Sequence, residues 1–172
     1  ANCALYCGAK VDFVDIDLES GLMSIDNLIK KLEIAEKNNS LPKILIPVHL
    51  SGSSCDMLKI KDLSYKYNFK IIEDASHAIG GKYLDDYVGS CKYSDATVFS
   101  FHPVKIITTG EGGMITTNQD KVYENILDLR SHGITKDPKR FIQSSRGLWH
   151  YEQIKLGFNY RLTDFQAALG LS

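Results

Sequence analysis

Three stretches of the chain carry apolar residues at helical spacing, each behind a residue suited to cap a helix. Ser24 precedes Ile25, Leu28, Ile29 and Leu32, and Asp56 precedes Met57, Ile60, Leu63 and Tyr67. Asn118 precedes Val122, Tyr123, Ile126, Leu127 and Leu129, a stripe expected to face inward. A shorter helix is predicted near the end, where Thr163 and Gln166 form a capping-box pattern around Phe165, Ala168 and Leu169. Between these lie runs that read as strands, at residues 11–16, 43–50, 69–72, 96–101 and 114–117. Residues 43–50 are nearly all apolar, the pattern of a strand buried on both faces, and Pro47 marks its end. Gly80-Gly81 and Asp85-Asp86 mark turns.

Strands alternating with helices predict an α/β fold, with a mostly parallel sheet and helices on both faces, a three-layer αβα sandwich. Residues 132–159 break the alternation. They show little periodicity, and a loop that long inside a compact domain is usually functional or partner-bound. The chain opens inside an apolar element (Ala4, Leu5, Tyr6) and ends within a helical pattern, so a fragment of a longer protein is expected.

Composition narrows the picture by exclusion. A chain of 172 residues suits one domain with its own core. A formal charge of −1 leaves no electrostatic footprint for nucleic acid or an anionic membrane. No apolar run approaches the roughly 20 residues that span a bilayer. The four cysteines make no C-x-x-C pair, which points to reduced thiols and a cytoplasmic setting, and no ligand spacing supports a metal site. G-x-G-x-x-G, P-loop, H-E-x-x-H and G-x-S-x-G patterns are all missing.

The candidate chemistry gathers at the expected strand ends. The strand at 69–72 delivers Glu73 and Asp74 to its C-terminal end. The strand at 96–101 must stop before Pro103, which leaves Lys105 on a loop ahead of the glycine-rich turn Gly110-Glu111-Gly112-Gly113. Ligands of open α/β sheets bind outside such strand ends. An aspartate and a lysine sharing one pocket suit pyridoxal phosphate: the lysine takes the aldehyde as a Schiff base, and the aspartate keeps the pyridine nitrogen protonated. A free lysine titrates near ~10.4, so its use as nucleophile and proton carrier requires burial or a nearby cation. Taken singly, each residue has a plainer role. Lys105 would be a solvated charge, Asp74 a turn cap, His77 a satisfied core histidine and Ser100 an ordinary strand serine. The residues alone therefore support a lysine-dependent α/β enzyme and nothing finer.

Five motifs in order carry a resemblance. They are Glu73-Asp-Ala-Ser-His-Ala, Phe99-Ser-Phe-His-Pro-Val-Lys, Thr109-Gly-Glu-Gly-Gly, Arg130-Ser-His-Gly and Gly157-Phe-Asn-Tyr-Arg-Leu-Thr-Asp-Phe-Gln-Ala-Ala. With these the chain resembles the DegT/DnrJ/EryC1/StrS aminotransferases, pyridoxal-phosphate enzymes of the aspartate aminotransferase-like fold that aminate keto-sugar nucleotides. The resemblance implies that residues 1–172 are a partial cofactor-binding large domain, with an N-terminal part and a C-terminal small domain missing. It implies Lys105 as the Schiff-base lysine, Asp74 as partner of the pyridine nitrogen, His77 packed against the cofactor ring and Ser100 as a phosphate ligand. Asn159, by its plain reading a loop-capping residue, would reach the phosphate of the neighbouring subunit's cofactor in a homodimer. Residues 132–159 would then cross the dimer interface. Within the family the motifs look most like the pseudaminic acid pathway subgroup. That subgroup transfers an amino group, usually from glutamate, to C4 of a UDP-linked 4-keto-6-deoxy-N-acetyl sugar. A chain this short is expected to be inactive alone. Two alternatives stand beside this: a non-catalytic relative that binds a sugar nucleotide or cofactor for sensing, and a generic nucleotide-binding module, which lacks its glycine fingerprint.

Overall fold

Side-chain caps start three of the helices where the pattern places them. Ser24 accepts the Asn27 N–H at 3.3 Å, Asp56 the Lys59 N–H at 3.3 Å, and Thr163 and Gln166 close a reciprocal box. Each cap satisfies a backbone donor that the first helical turn leaves without a partner. The computed structural model describes all 172 residues. In chain order its elements are α1 (Asn2–Tyr6), α2 (Ile25–Lys37), β1 (Ile44–Leu45), α3 (Met57–Tyr67), β2 (Lys70–Asp74), β3 (Lys82–Tyr83) and β4 (Asp86–Tyr87). There follow β5 (Ala96–Ser100), β6 (Gly113–Thr116), α4 (Asp120–Arg130), β7 (Ile134–Thr135), β8 (Glu152–Gln153) and α5 (Asp164–Leu171).

The main sheet has the order β1-β2-β5-β6. Its first three strands are parallel, and β6 returns antiparallel to β5. The expected α/β domain with a mostly parallel sheet is therefore present. Strand alternation gives the sheet two unlike faces. One carries Leu45, Ile71, Glu73, Thr97 and Phe99, all buried. Leu28 and Leu32 of α2 and Met57, Ile60 and Tyr67 of α3 pack on it with Leu45, Ile71 and Phe69. Ile60 and Ile71 have no exposure, and burying an aliphatic side chain of that size stabilises by about 1.5–3 kcal/mol. A second cluster, Ala75, Ala78, Val88, Phe99 and Phe101, holds the loop after β2 down beside β5. The opposite face carries Ile44, Ile46, Val48 and Ile115, all exposed, so α2 and α3 form the covering layer on one side only.

Four local expectations are corrected. Residues 11–16 make no strand beyond a bridge between Ile16 and Met23. Asp12 and Asp15 take the N–H of Phe13 and Ile16 at 2.8 Å each, so two donors a ladder would use are spent on neighbouring side chains. Residues 43–50 are buried on alternate positions, not on both faces, and the regular strand stops at Leu45 before Pro47. Asn118 does not cap α4. Its side chain donates to the Ser90 carbonyl at 2.8 Å, and Gln119 takes the cap position without a side-chain bond. On α4, Val122, Ile126 and Leu127 are half-buried, but Tyr123 and Leu129 face solvent.

Residues 132–159 are mostly irregular, as expected, yet tied down. β7 pairs antiparallel with β8. Asp128, buried at the end of α4, takes both Arg140 and Lys155, the latter at 3.0 Å. The Arg140 guanidinium holds the Asp128 carboxyl below its ordinary value against the opposing effect of burial. Glu152 accepts the backbone N–H groups of Ile142 and Gln143.

Candidate active site

Parallel register brings Asp74 and Ser100 to one edge. Asp74, the last residue of β2, stands opposite Val98 of β5, two residues before Ser100. Asp74, Val98 and Ser100 share the face away from α2 and α3, whereas Glu73 and Thr97 share the covered face. His77 follows three residues later, in the loop that the second cluster anchors through Ala75 and Ala78. Lys105 lies beyond Ser100 in a loop closed at its neck. The Phe101 N–H donates to the Gly112 carbonyl, and the Phe101 carbonyl accepts the N–H and the hydroxyl of Thr109 and Thr108 respectively. Gly112 and Gly113 permit that neck. A Cβ at Gly113 would stand 2.9 Å from the Phe99 carbonyl.

Each side chain at this edge keeps bonding capacity. Asp74 Oδ1 accepts the Ser76 N–H at 3.1 Å, and the carboxylate enters no salt bridge. Lys105 is half-buried, its N–H donates to the His102 carbonyl at 3.0 Å, and its ammonium has no acidic partner. Ser100 Oγ accepts the His102 N–H at 3.4 Å, which leaves its O–H free to donate. His77 Nδ1 accepts the Ser51 N–H at 3.4 Å, so a neutral ring carries its proton on Nε2. A carboxylate and an amine outside any salt bridge, with a hydroxyl free to donate, are the donor set that a pyridinium nitrogen, an aldehyde and a phosphate require.

Asn159 lies apart, bridged to Ser131 at the end of α4 and exposed. Its Oδ1 accepts Arg161 Nε at 2.9 Å, and its amide donates to nothing within the chain. A cleft of about 450 Å³ near the starts of α2 and α3, lined by Asp17, Asp56, Lys59 and Tyr83 among others, contains none of these residues.

The sequence pattern described as the DegT/DnrJ/EryC1/StrS aminotransferase family matches residues 1–172. The chain belongs to this family. It is 43% identical to the UDP-4-amino-4,6-dideoxy-N-acetyl-beta-L-altrosamine transaminase of Campylobacter jejuni, over all of this chain and 42% of that protein. Among solved structures, PseC of Helicobacter pylori, an aminotransferase involved in the biosynthesis of pseudoaminic acid, matches with a TM-score of 0.85 and 32% identity, over 99% of this chain and 41% of that one. The PMP form of a putative sugar aminotransferase from Streptococcus pneumoniae matches with a TM-score of 0.76 and 29% identity, over 99% and 45%. The chain thus spans about two-fifths of the length of the curated relatives it matches. Members of the DegT/DnrJ/EryC1/StrS aminotransferase family use pyridoxal phosphate, for which the Asp74, Ser100 and Lys105 set is chemically suited.

One cluster at the site's back escaped the sequence reading. His49, with no exposure, places Nε2 2.7 Å from Glu73 Oε2. Glu73 Oε1 accepts the Ser94 hydroxyl and, at 2.9 Å, that of Thr97. Burial pushes the Glu73 carboxyl up, but His49, Ser94 and Thr97 together outweigh it and hold the group below its ordinary value. For His49, burial opposes the charged ring while the Cys55 and Glu73 side chains favour it, on balance above its ordinary value. Geometry decides otherwise. The Cys55 backbone N–H points at Nδ1 from 3.2 Å and needs a lone pair there, which an imidazolium lacks. His49 is therefore the neutral Nε2–H tautomer, donating to Glu73. The available signal was Glu73 itself, an acid placed by alternation on the face with Ile71.

Proposed function

We propose that this chain is part of the cofactor-binding large domain of a nucleotide-sugar aminotransferase. The single observation that carries the reading is the match of the family pattern to the whole chain; Asp74 at the end of β2 and Lys105 in the loop after β5, both outside any salt bridge, support it. When bound, pyridoxal phosphate supplies the electron sink for loss of the Cα proton. In this reading Lys105 holds the cofactor aldehyde and then carries the proton. Asp74 keeps the ring nitrogen charged, His77 lies against the ring, and the free Ser100 O–H donates to the phosphate.

The amino acceptor is a nucleotide-linked keto-deoxy sugar, and the donor is glutamate. The 43% likeness to the Campylobacter transaminase supports C4 of a UDP-4-keto-6-deoxy-N-acetylhexosamine as the position aminated. The whole protein is a cytoplasmic homodimer. Asn159, its amide unengaged in its own chain, reaches the partner's cofactor phosphate. The 172-residue chain alone does not turn over. The test is turnover by the full-length protein of glutamate with UDP- and GDP-linked 4-keto sugars. Amino-sugar formation with the UDP-N-acetyl substrate is expected. Cofactor binding without turnover of any keto sugar would favour the non-catalytic, sensing relative.

A further inference from the structure

The His49–Glu73 pair lies behind the cofactor edge, yet His49 reaches it through the backbone. The His49 N–H donates to the Asp74 carbonyl at 3.0 Å, and the Asp74 N–H donates to the Pro47 carbonyl at 2.9 Å. Both ring nitrogens of His49 are committed, one to Glu73 and one to the Cys55 N–H. The ring therefore fixes where the chain leaves the sheet and where it enters α3. Between those points runs the tight turn Leu50–Gly52, in which Ser51 adopts φ 55. That conformation is costly for a residue with a Cβ, and it aims the Ser51 N–H at His77 Nδ1. The turn also presses on the same loop at Gly52, where φ is +87 and a Cβ would stand 3.2 Å from the His77 carbonyl.

We propose that His49 is a positioning residue for the cofactor pocket. Its bond to Glu73 anchors the Leu50–Gly52 turn, and the turn's Ser51 N–H holds His77 in the Nε2–H tautomer with its ring fixed in the loop after β2. The relay runs from the covered face of the sheet to the loop after β2: Glu73 to His49, His49 to the turn, the turn to His77. His49 itself touches neither the cofactor nor the reacting atoms. The link to the cofactor rests on the aminotransferase reading above, but the link from His49 to His77 does not.

The test has two arms in the full-length protein. The first reads the His77 tautomer by ¹⁵N imidazole NMR of the cofactor-free protein. The second measures the Kd for pyridoxal phosphate by titration. In wild type, His77 is expected wholly as Nε2–H. His49→Gln, whose longer amide still reaches Glu73, should keep that tautomer and the wild-type Kd. His49→Asn, which falls short of Glu73, should leave His77 as a tautomer mixture and raise the Kd about tenfold, the scale of one lost oriented hydrogen bond. A wild-type His77 with its proton on Nδ1 overturns the inference without any variant, which covers the case of His49→Asn failing to fold. A folded His49→Asn with wild-type tautomer and Kd overturns it too. Absence of pyridoxal phosphate binding in wild type would sink the aminotransferase reading, while the predicted tautomer pattern would still support the His49 relay.

Discussion

Removing the Glu73 carboxylate should be among the most damaging single changes to the stability of this domain. Glu73→Ala strands the His49 N–H, which has no other acceptor in reach, inside a site with no exposure. The Ser94 and Thr97 hydroxyls lose the same partner, but they lie 3.5 Å from each other, and Thr97 lies 3.4 Å from Cys91 Sγ, so they can turn and pair again. The cost is that of one orphaned buried donor plus the cavity left by the side chain, about 3–5 kcal/mol in all. A domain's whole stability is only about 5–15 kcal/mol. Glu73→Gln is the control. Its amide oxygen accepts from a neutral His49 and its amide nitrogen donates to hydroxyls that rotate to receive it, so a loss of about 1 kcal/mol or less is expected. Urea unfolding followed by circular dichroism reads both. With an m-value of about 2 kcal/mol per M, the alanine variant should lower the midpoint by about 2 M and the glutamine variant by less than about 0.5 M. An alanine variant within about 1 kcal/mol of wild type would refute the network. A glutamine variant as damaged as alanine would refute the neutral tautomer, because only an imidazolium needs the charge.

Other outcomes follow from the same geometry. Glu73 binds its proton less readily folded than unfolded, so its contribution is present above the unfolded glutamate pKa near ~4.5 and is lost as pH falls through the lower folded value. Acid unfolding of Glu73→Gln should therefore be shallower than that of wild type below about pH 4.5, and identical slopes would count against the ionised buried carboxylate. Gly133, at φ +68, faces the Lys155 carbonyl so closely that a Cβ would run into it. Gly133→Ala should cost at least about 2 kcal/mol and open residues 134–158 to limited proteolysis, and a wild-type digestion pattern would contradict the packing of that arm.

What was legible in the sequence was local. Ser24, Asp56 and Thr163 announce their helices because a short polar side chain and an apolar stripe are both written within a few residues. Asn118 offers the same signal and fails, because the Ser90 carbonyl, 28 residues away in sequence, competes for its side chain. Residues 11–16 look like a strand by composition, but a strand needs a neighbour, and neither residue pattern nor spacing shows whether one exists. Asp74 and Lys105 stand out as candidates because strand ends, Pro103 and the glycine turn mark the edge where open α/β sheets bind ligands, whereas His77 and Ser100 become candidates only through the family resemblance. His49 was not, because its meaning depends on contacts with Glu73 and Cys55 that fold topology creates. Alternation in residues 43–50 was hidden by isoleucine and valine on the uncovered face, where Ile44, Ile46 and Val48 keep the run apolar although only every second residue is buried.

The central claim is that Lys105 and Asp74 hold one pyridoxal phosphate. Its most direct test is the absorbance spectrum of the full-length protein purified with the cofactor, beside a Lys105→Ala variant. The account predicts a visible cofactor band in wild type that glutamate bleaches and that Lys105→Ala lacks. A folded wild-type protein with no such band, or a Lys105→Ala variant that keeps it, would contradict the account.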